Sequence, residues 1–427
     1  MFGSNTEITS FNELELFTGL KSIDNSAFKA SSLKSIKLPS SVTTINYQAF
    51  HSCKELEYVP DLSNVQYFNG DGNFAYCSNM KGVADLRGSS NPSSALFGYC
   101  TSLEGILLRE DLVSFNPVIR GCTSIKWVDF PTSLKYFSGG CDGCTSLKTN
   151  LNFPNVIRML YEVFRHCPLD SELYAPKLEE LGYYTFAYSG VKGDLNLPSL
   201  KIMLYRCFEN TAIETVSSLG SLETLDYSVF ANCKQLASVV LPNTLKTINH
   251  DAFRNCSLLT NVVLPESITT IGEYAFHSSP IENDINLPNL EKMGTRVFNK
   301  TKIKKVISLG QITELLATFE SCDSLEECIL PETLISIGNV SFANCVKLKQ
   351  IDIPKNVTSI GNSSFQTVRD LNYVICRPTT PPTLGSNNFT SIPGTCVFYV
   401  PDESISDYQA ATNWNAFASK MKGISEL

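Results

Sequence analysis

Residues 259–276 read LTNVVLPESITTIGEYAF, and this stretch decides the fold. Val262-Val263-Leu264 is short and β-branched, which predicts a strand. Pro265 carries no N–H and ends the hydrogen-bonded ladder. Ile268 and Ile271 then alternate with polar residues and are expected to point inward from a second extended piece. Gly272 suits a turn with positive φ, as do Asn46, Gly182, Asp226 and Asn249 at the same place in other copies. Phe276 closes the unit as a core residue. One such unit buries too little apolar surface to fold alone.

The unit recurs. Aligned on its final Phe, the chain has 17 anchors: 28, 50, 74, 97, 119, 141, 164, 186, 208, 230, 253, 276, 298, 319, 342, 365 and 389. They are 21 to 24 residues apart, and all are Phe except Ile119 and Cys141. A period of this length predicts stacked coils with continuous columns of Leu, Ile and Phe. At a strand spacing of ~4.8 Å, 16 intervals give a stack ~80 Å long. Residues 57–160 depart from the pattern, with extra residues near Gly70-Asp71-Gly72.

The segments Ile271-Gly272-Glu273-Tyr274-Ala275-Phe276 and Ile337-Gly338-Asn339-Val340-Ser341-Phe342, with the Leu-Pro pairs at 38–39, 241–242 and 264–265, resemble the BspA-like leucine-rich repeats of bacterial surface proteins. The resemblance covers residues 21–395. It implies a leucine-rich repeat solenoid of β-rich coils of about 22–23 residues, with short helical caps at both ends. The expected division is a capping segment at 1–20, the solenoid at 21–395 and a C-terminal cap at 396–427. Ser10-Phe11-Asn12-Glu13 has capping-box spacing, so a short amphipathic helix carrying Phe11, Leu14 and Phe17 is predicted to cover the first coil. At the other end, residues 396–401 read as a last strand and Tyr408, Trp414, Phe417 and Met421 as helical. From Pro381 onward the tail is similar to the ends of such proteins from Bacteroides-like gut bacteria and their phages.

The 427 residues are 43% hydrophobic and 18% charged, a globular composition. A net charge of −8 disfavours a sequence-blind nucleic-acid binder, which needs a basic field. No apolar run reaches the ~18 residues of a membrane span. The 15 Cys resemble a disulfide framework until the repeat is laid over them. Ten of them (53, 77, 100, 122, 144, 167, 233, 256, 322 and 345) fall three residues after the anchor. Parallel neighbours ~4.8 Å apart suit a buried thiol ladder, each Cys a weak donor to a turn carbonyl, better than disulfides. Cys141 and Cys144 form a lone C-x-x-C without a neighbouring His, so neither metal nor cofactor is expected.

The four His fall in no metalloprotease spacing, and no P-loop, nucleophile elbow or dinucleotide fingerprint occurs. An enzyme is therefore not expected, unless the irregular 57–160 region hides one. The column three residues before the anchor is more informative. It reads Tyr161, Tyr183, Tyr205, Tyr227 and His250 through the middle of the chain. These residues are ligand-binding candidates, or else a self-stacking seal on the turn edge. On the strand face Trp127 is a further candidate. The resemblance implies an adhesive or recognition protein at the cell surface or outside the cell. Its partner would be a host or bacterial surface protein or a glycan. A chain that begins at Met1 without a signal peptide equally suits the alternative, a phage tail or fibre component in a virion.

Overall fold

A computed structural model describes residues 2–116 and 118–427; Met1, within the expected 1–20 cap, lies outside them. The chain forms two compact units, one up to Ile213 and one at Glu214–Leu427. Both are leucine-rich repeat β-solenoids. Each coil contributes two short strands that pair in parallel with those of the next coil. In the first unit Ser114–Phe115, Tyr136–Phe137, Arg158–Met159, Glu180–Leu181 and Ile202–Met203 form one such row. In the second, Thr224–Leu225, Thr247–Ile248, Thr270–Ile271 and Lys292–Met293 form another. A second row holds the longer strands, such as Ser238–Val240 beside Asn261–Val263.

The turn around each anchor has a backbone signature that the residue types conceal. Two residues before and two after each Phe anchor, φ is positive: Asp251 and Asn255 flank Phe253 at 58° and 59°, and Val340 and Asn344 flank Phe342 at 54° and 63°. This alternation aims two or three N–H groups at the following coil. Asp251, Phe253 and Asn255 donate to the carbonyls of Glu273, Ala275 and His277 at 2.8 to 2.9 Å. Gly272 is not the left-handed residue that the sequence predicts. It is glycine because the coils approach closely there: a Cβ would lie 2.5 Å from the His250 amide nitrogen. Where the gap is wider, an Asn ladder fills the column, as between Asn69 and Asn46 at 2.9 Å.

All 17 anchors are buried. Consecutive Phe rings stack with centroids 4.8 to 5.8 Å apart, as in Phe50–Phe74 and Phe298–Phe319. At the two non-Phe anchors, Ile119 and Cys141, a different set of rings fills the interior. Phe130 meets Phe115, Phe137 and Phe153 edge-on at 5.2 to 5.7 Å. The core stays full there because aromatic volume arrives from the strands instead of the turn.

All fifteen cysteines are free and buried. In the ladder column the thiol donates to the carbonyl of the preceding anchor: Cys53 to Phe28, Cys77 to Phe50 and Cys122 to Phe97, at 2.9 to 3.1 Å. The second unit repeats this at Cys256, Cys322 and Cys345. That carbonyl already accepts an amide within its own coil, as Phe50 does from Cys53 at 3.2 Å. The thiol thus occupies the second lone pair of a buried acceptor. Ser279 makes the same bond, to Phe253, from the same column, so a small donor, not sulfur chemistry, is what the position requires; Thr301 turns its hydroxyl instead to Phe298 in its own coil.

The ends differ from expectation. Ser10–Phe11 is a strand paired with Ser35–Ile36, and the turn after it, Asn12–Leu16, is a 3-10 helix with no side-chain cap. Only Leu14 of that helix is buried, while Phe17 is exposed. The open end of the Phe column is covered by Phe2 and Phe11, both packed on Phe28. A capping box lost to strand pairing because the adjacent coil edge offers backbone partners. At the far end Ile405–Ala410 is α-helical and carries buried Tyr408; Phe417 lies in a 3-10 helix, and Met421 starts a strand instead of continuing a helix. Tyr408 and Trp414 donate to the carbonyls of Pro378 and Pro382, both at 2.8 Å.

Two outcomes follow from this architecture. Val340 is β-branched in a left-handed conformation that Asn adopts at little cost, so Val340→Asn should raise the unfolding free energy by about 0.5–1 kcal/mol; denaturant melts giving no gain would place the strain elsewhere. The thiols should be silent to a thiol reagent in the native state and all react on unfolding. Burial pushes Cys322 up to about 12 from an ordinary 9.0. Below pH 9 both states hold the proton and stability is full; between these values only the unfolded state ionises, so stability falls by about 1.4 kcal/mol per pH unit for each such thiol. An alkaline melt flat up to pH 11 would contradict the ladder.

Candidate functional site

The predicted Tyr column exists, but its rings face each other. Tyr161 and Tyr183 stack at 5.6 Å and Tyr183 and Tyr205 at 5.2 Å, the latter pair 3° from parallel. In the second unit Tyr227 stacks on His250 at 5.3 Å. Neighbouring rings therefore cover the faces of Tyr183, and mainly its edge and hydroxyl reach solvent. Trp127 lies flat over Gly105, its partner in strand register; a Cβ on that glycine would fall 2.5 Å from the indole. It is partly buried by this packing and is not a projecting anchor.

A second aromatic ladder escaped the sequence reading. Two residues after the anchor, Tyr76 and Tyr99 stack at 4.9 Å, and His166 and Tyr188 at 5.4 Å. The signal was present as tyrosines 23 residues apart, hidden because the column continues as Gly121 and Gly143. Tyr99 lies over Gly121, where a Cβ would be 2.6 Å from its ring.

Between these ladders the turn edge of the first unit is hollow. The anchors there are Ile119 and Cys141, and the flanking residues are small: Ser94, Ala95, Gly139 and Gly140. The result is a cleft of about 190 Å³, walled at one end by Tyr161 and lined by Arg120, Asp142 and Glu162. Arg120 bridges the two carboxylates, with Nη2 3.1 Å from Asp142 and 3.7 Å from Glu162. Nδ1 of His166 lies 3.4 Å from the other oxygen of Asp142. Arg165 pairs with Glu162 and lays its guanidinium 4.8 Å over the Tyr184 ring. Of the residues proposed from sequence, the cleft contains Tyr161 alone. Its charged members sit one or two positions from the anchor, where no repeated residue type draws attention to them. Among the described residues no group of three or more His, Cys, Asp or Glu has a metal-binding arrangement.

A family model described as "BspA type Leucine rich repeat region (6 copies)" matches residues 4–117, 93–192, 201–317 and 317–409. The chain belongs to this family. Leucine-rich repeat proteins generally bind other proteins, and among the described residues no helix is long and apolar enough to cross a membrane. Among solved structures, a leucine-rich repeat protein from Bacteroides ovatus is 23% identical, with a TM-score of 0.54 over 80% of this chain and 92% of that one. That likeness shows the fold. A leucine rich cell surface protein from Faecalibacterium prausnitzii is 19% identical over 84% of this chain and 83% of its own, with a TM-score of 0.33. Among curated proteins none matches this chain significantly.

The ring stacking carries its own expectation. Tyr183 has ring partners on both faces, and each such pair contributes about 0.5–1.5 kcal/mol beyond area burial. Tyr183→Ala should therefore lower unfolding free energy by about 1–3 kcal/mol, read by chemical denaturation. A loss well under 0.5 kcal/mol would mean the column is not a seal.

Proposed function

We propose that this chain is a non-enzymatic recognition protein that presents its repeat surface, at or outside the bacterial cell surface, to host proteins or glycans. The observation that carries this reading is the composition of the longer strand rows. Val240 and Val263 are register partners and stand 60% and 67% exposed. Ile307 and Ile329 are exposed in the second unit in the same way. Solvent-facing strand positions need no β-branched apolar residue for the fold, since the inward set already fills the core. Two exposed apolar pairs, Val240 with Val263 and Ile307 with Ile329, separated by a coil that carries Asp284 and Asn286, are the kind of surface that marks a contact site. The family's repeat scaffold supports the same reading.

The test is capture on an array of extracellular matrix proteins and glycans, comparing the native chain with Val240→Lys/Val263→Lys. These exposed changes should leave the melting temperature within a few degrees and weaken capture at least about tenfold, the loss of roughly 1.4 kcal/mol. Equal capture by both proteins would move the contact surface elsewhere, and no capture by either would refute the reading.

A further inference from the structure

We propose that the glycine-floored cleft beside Tyr161 is a binding subsite for a single neutral sugar ring. This deepens the reading above and rests on it. Three observations on the first unit converge. The first is an aromatic wall. Tyr161 ends the stacked column: Tyr183 covers one face, and on the other side the column continues as Ser138, too small to cover the ring. Tyr161 lines the cleft and is 41% exposed. An aromatic face of this kind packs against the C–H groups of a pyranose.

The second is the arrangement of polar groups. Asp142 and Glu162 accept hydrogen bonds and Arg120 donates them, all three converging on one cleft where Arg120 holds both carboxylates in place. Adjacent planar donors and acceptors match the vicinal hydroxyls of a sugar, each of which both donates and accepts. The third is charge. Two guanidiniums, Arg120 and Arg165, offset two carboxylates, Asp142 and Glu162. A site balanced in this way offers no net attraction to a lysine side chain or to an acidic sugar, which would have to displace an existing ion pair. The volume of about 190 Å³ is below the ~300–1,000 Å³ of pockets for drug-sized molecules and suits one ring.

The preorganisation argues against a mere defect in the stack. Gly140 cannot carry a side chain, because a Cβ would lie 2.6 Å from the Val163 carbonyl oxygen. Asp142 is mostly buried and is held by Arg120 on one oxygen and by His166 on the other. The polar groups are thus set in place before any ligand arrives, which lowers the ordering cost of binding.

Saturation-transfer NMR and calorimetry on the full chain test this. The probes are glucose, galactose, mannose, N-acetylglucosamine and N-acetylgalactosamine, with glucuronate and lysine amide as charged controls. A ring of about 12 non-hydrogen atoms, held by one aromatic face and a few hydrogen bonds, should bind in the millimolar range. At least one neutral ring is expected to bind, more tightly than either control. Tyr161→Ala and Asp142→Asn should each weaken it at least about tenfold, while Tyr161→Phe, which keeps the ring, stays within about threefold. Tyr227→Ala, in the other unit, should change nothing. The proposal is overturned if no neutral ring binds at 20 times the expected constant, a figure on the order of tens of millimolar. It is also overturned if binding is indifferent to Tyr161→Ala and Asp142→Asn, or if a charged control is preferred. A protein that captures ligands on the array but binds no free ring loses this proposal alone, and one that captures nothing loses the underlying reading.

Discussion

Each coil with a Phe anchor turns on a pair of left-handed residues that bracket that ring, as Asp251 and Asn255 bracket Phe253. Alternating the backbone in this way points successive N–H groups along the stack instead of within the coil, so two or three rungs join a turn to the next, as at Phe50 and Phe253. The anchor ring is thereby fixed over its predecessor, and the ring column, the thiol column and the exposed aromatic ladders all inherit that spacing. Ordinary L-residues disfavour this conformation by roughly 1–2 kcal/mol each, so the stack must supply what the local sequence does not. Inter-coil hydrogen bonds and ring stacking do so, and an isolated coil has neither.

The same constraint explains the cysteines. An anchor carbonyl buried in the turn has two lone pairs and one amide partner. An unfilled buried acceptor is costly, and the space between coils admits only a small donor. Cys and Ser satisfy it, as Cys77 and Ser279 do, and Cys does so with the greater apolar character. The thiols face a carbonyl one coil away, and burial raises them far above their ordinary value. They are structural donors, held out of reach of redox chemistry.

The cleft lies on the turn edge beside the two non-Phe anchors, which are themselves buried and do not line it. Where Ile119 and Cys141 replace Phe, the ring volume moves to Phe115, Phe130, Phe137 and Phe153 on the strand side. The turn side is left with glycine, alanine and serine, and charged residues close over the hollow. The repeat thus makes a rigid frame, and a local departure from it accompanies a concave, polar feature on the turn edge, between two aromatic ladders. An irregularity that weakens the repeat as a sequence pattern is what gives the surface its chemical contrast.

The period of the anchors, the inward Ile and Leu positions, the burial of the cysteines and, one residue out of place, the strand read at Val262–Leu264 and found at Asn261–Val263 were legible in the sequence, because stacking repeats one solution to burial and the residues record it. The left-handed positions were not: they carry Ser, Asp, Tyr, Arg, Ala and Val, since backbone rungs from the next coil, not side-chain preference, hold them there. Gly272 was legible as special but for the wrong reason, because close approach between coils cannot be seen within one coil. Tyr161, Tyr183 and Tyr205 were found as a column, yet whether their faces lay open depended on ring orientation. Arg120, Asp142 and Glu162 meet only when coils whose residues lie 20 to 42 positions apart are laid side by side. Composition and period determine a fold built from repetition; a site built from its exceptions is decided by which neighbours the stack brings into contact.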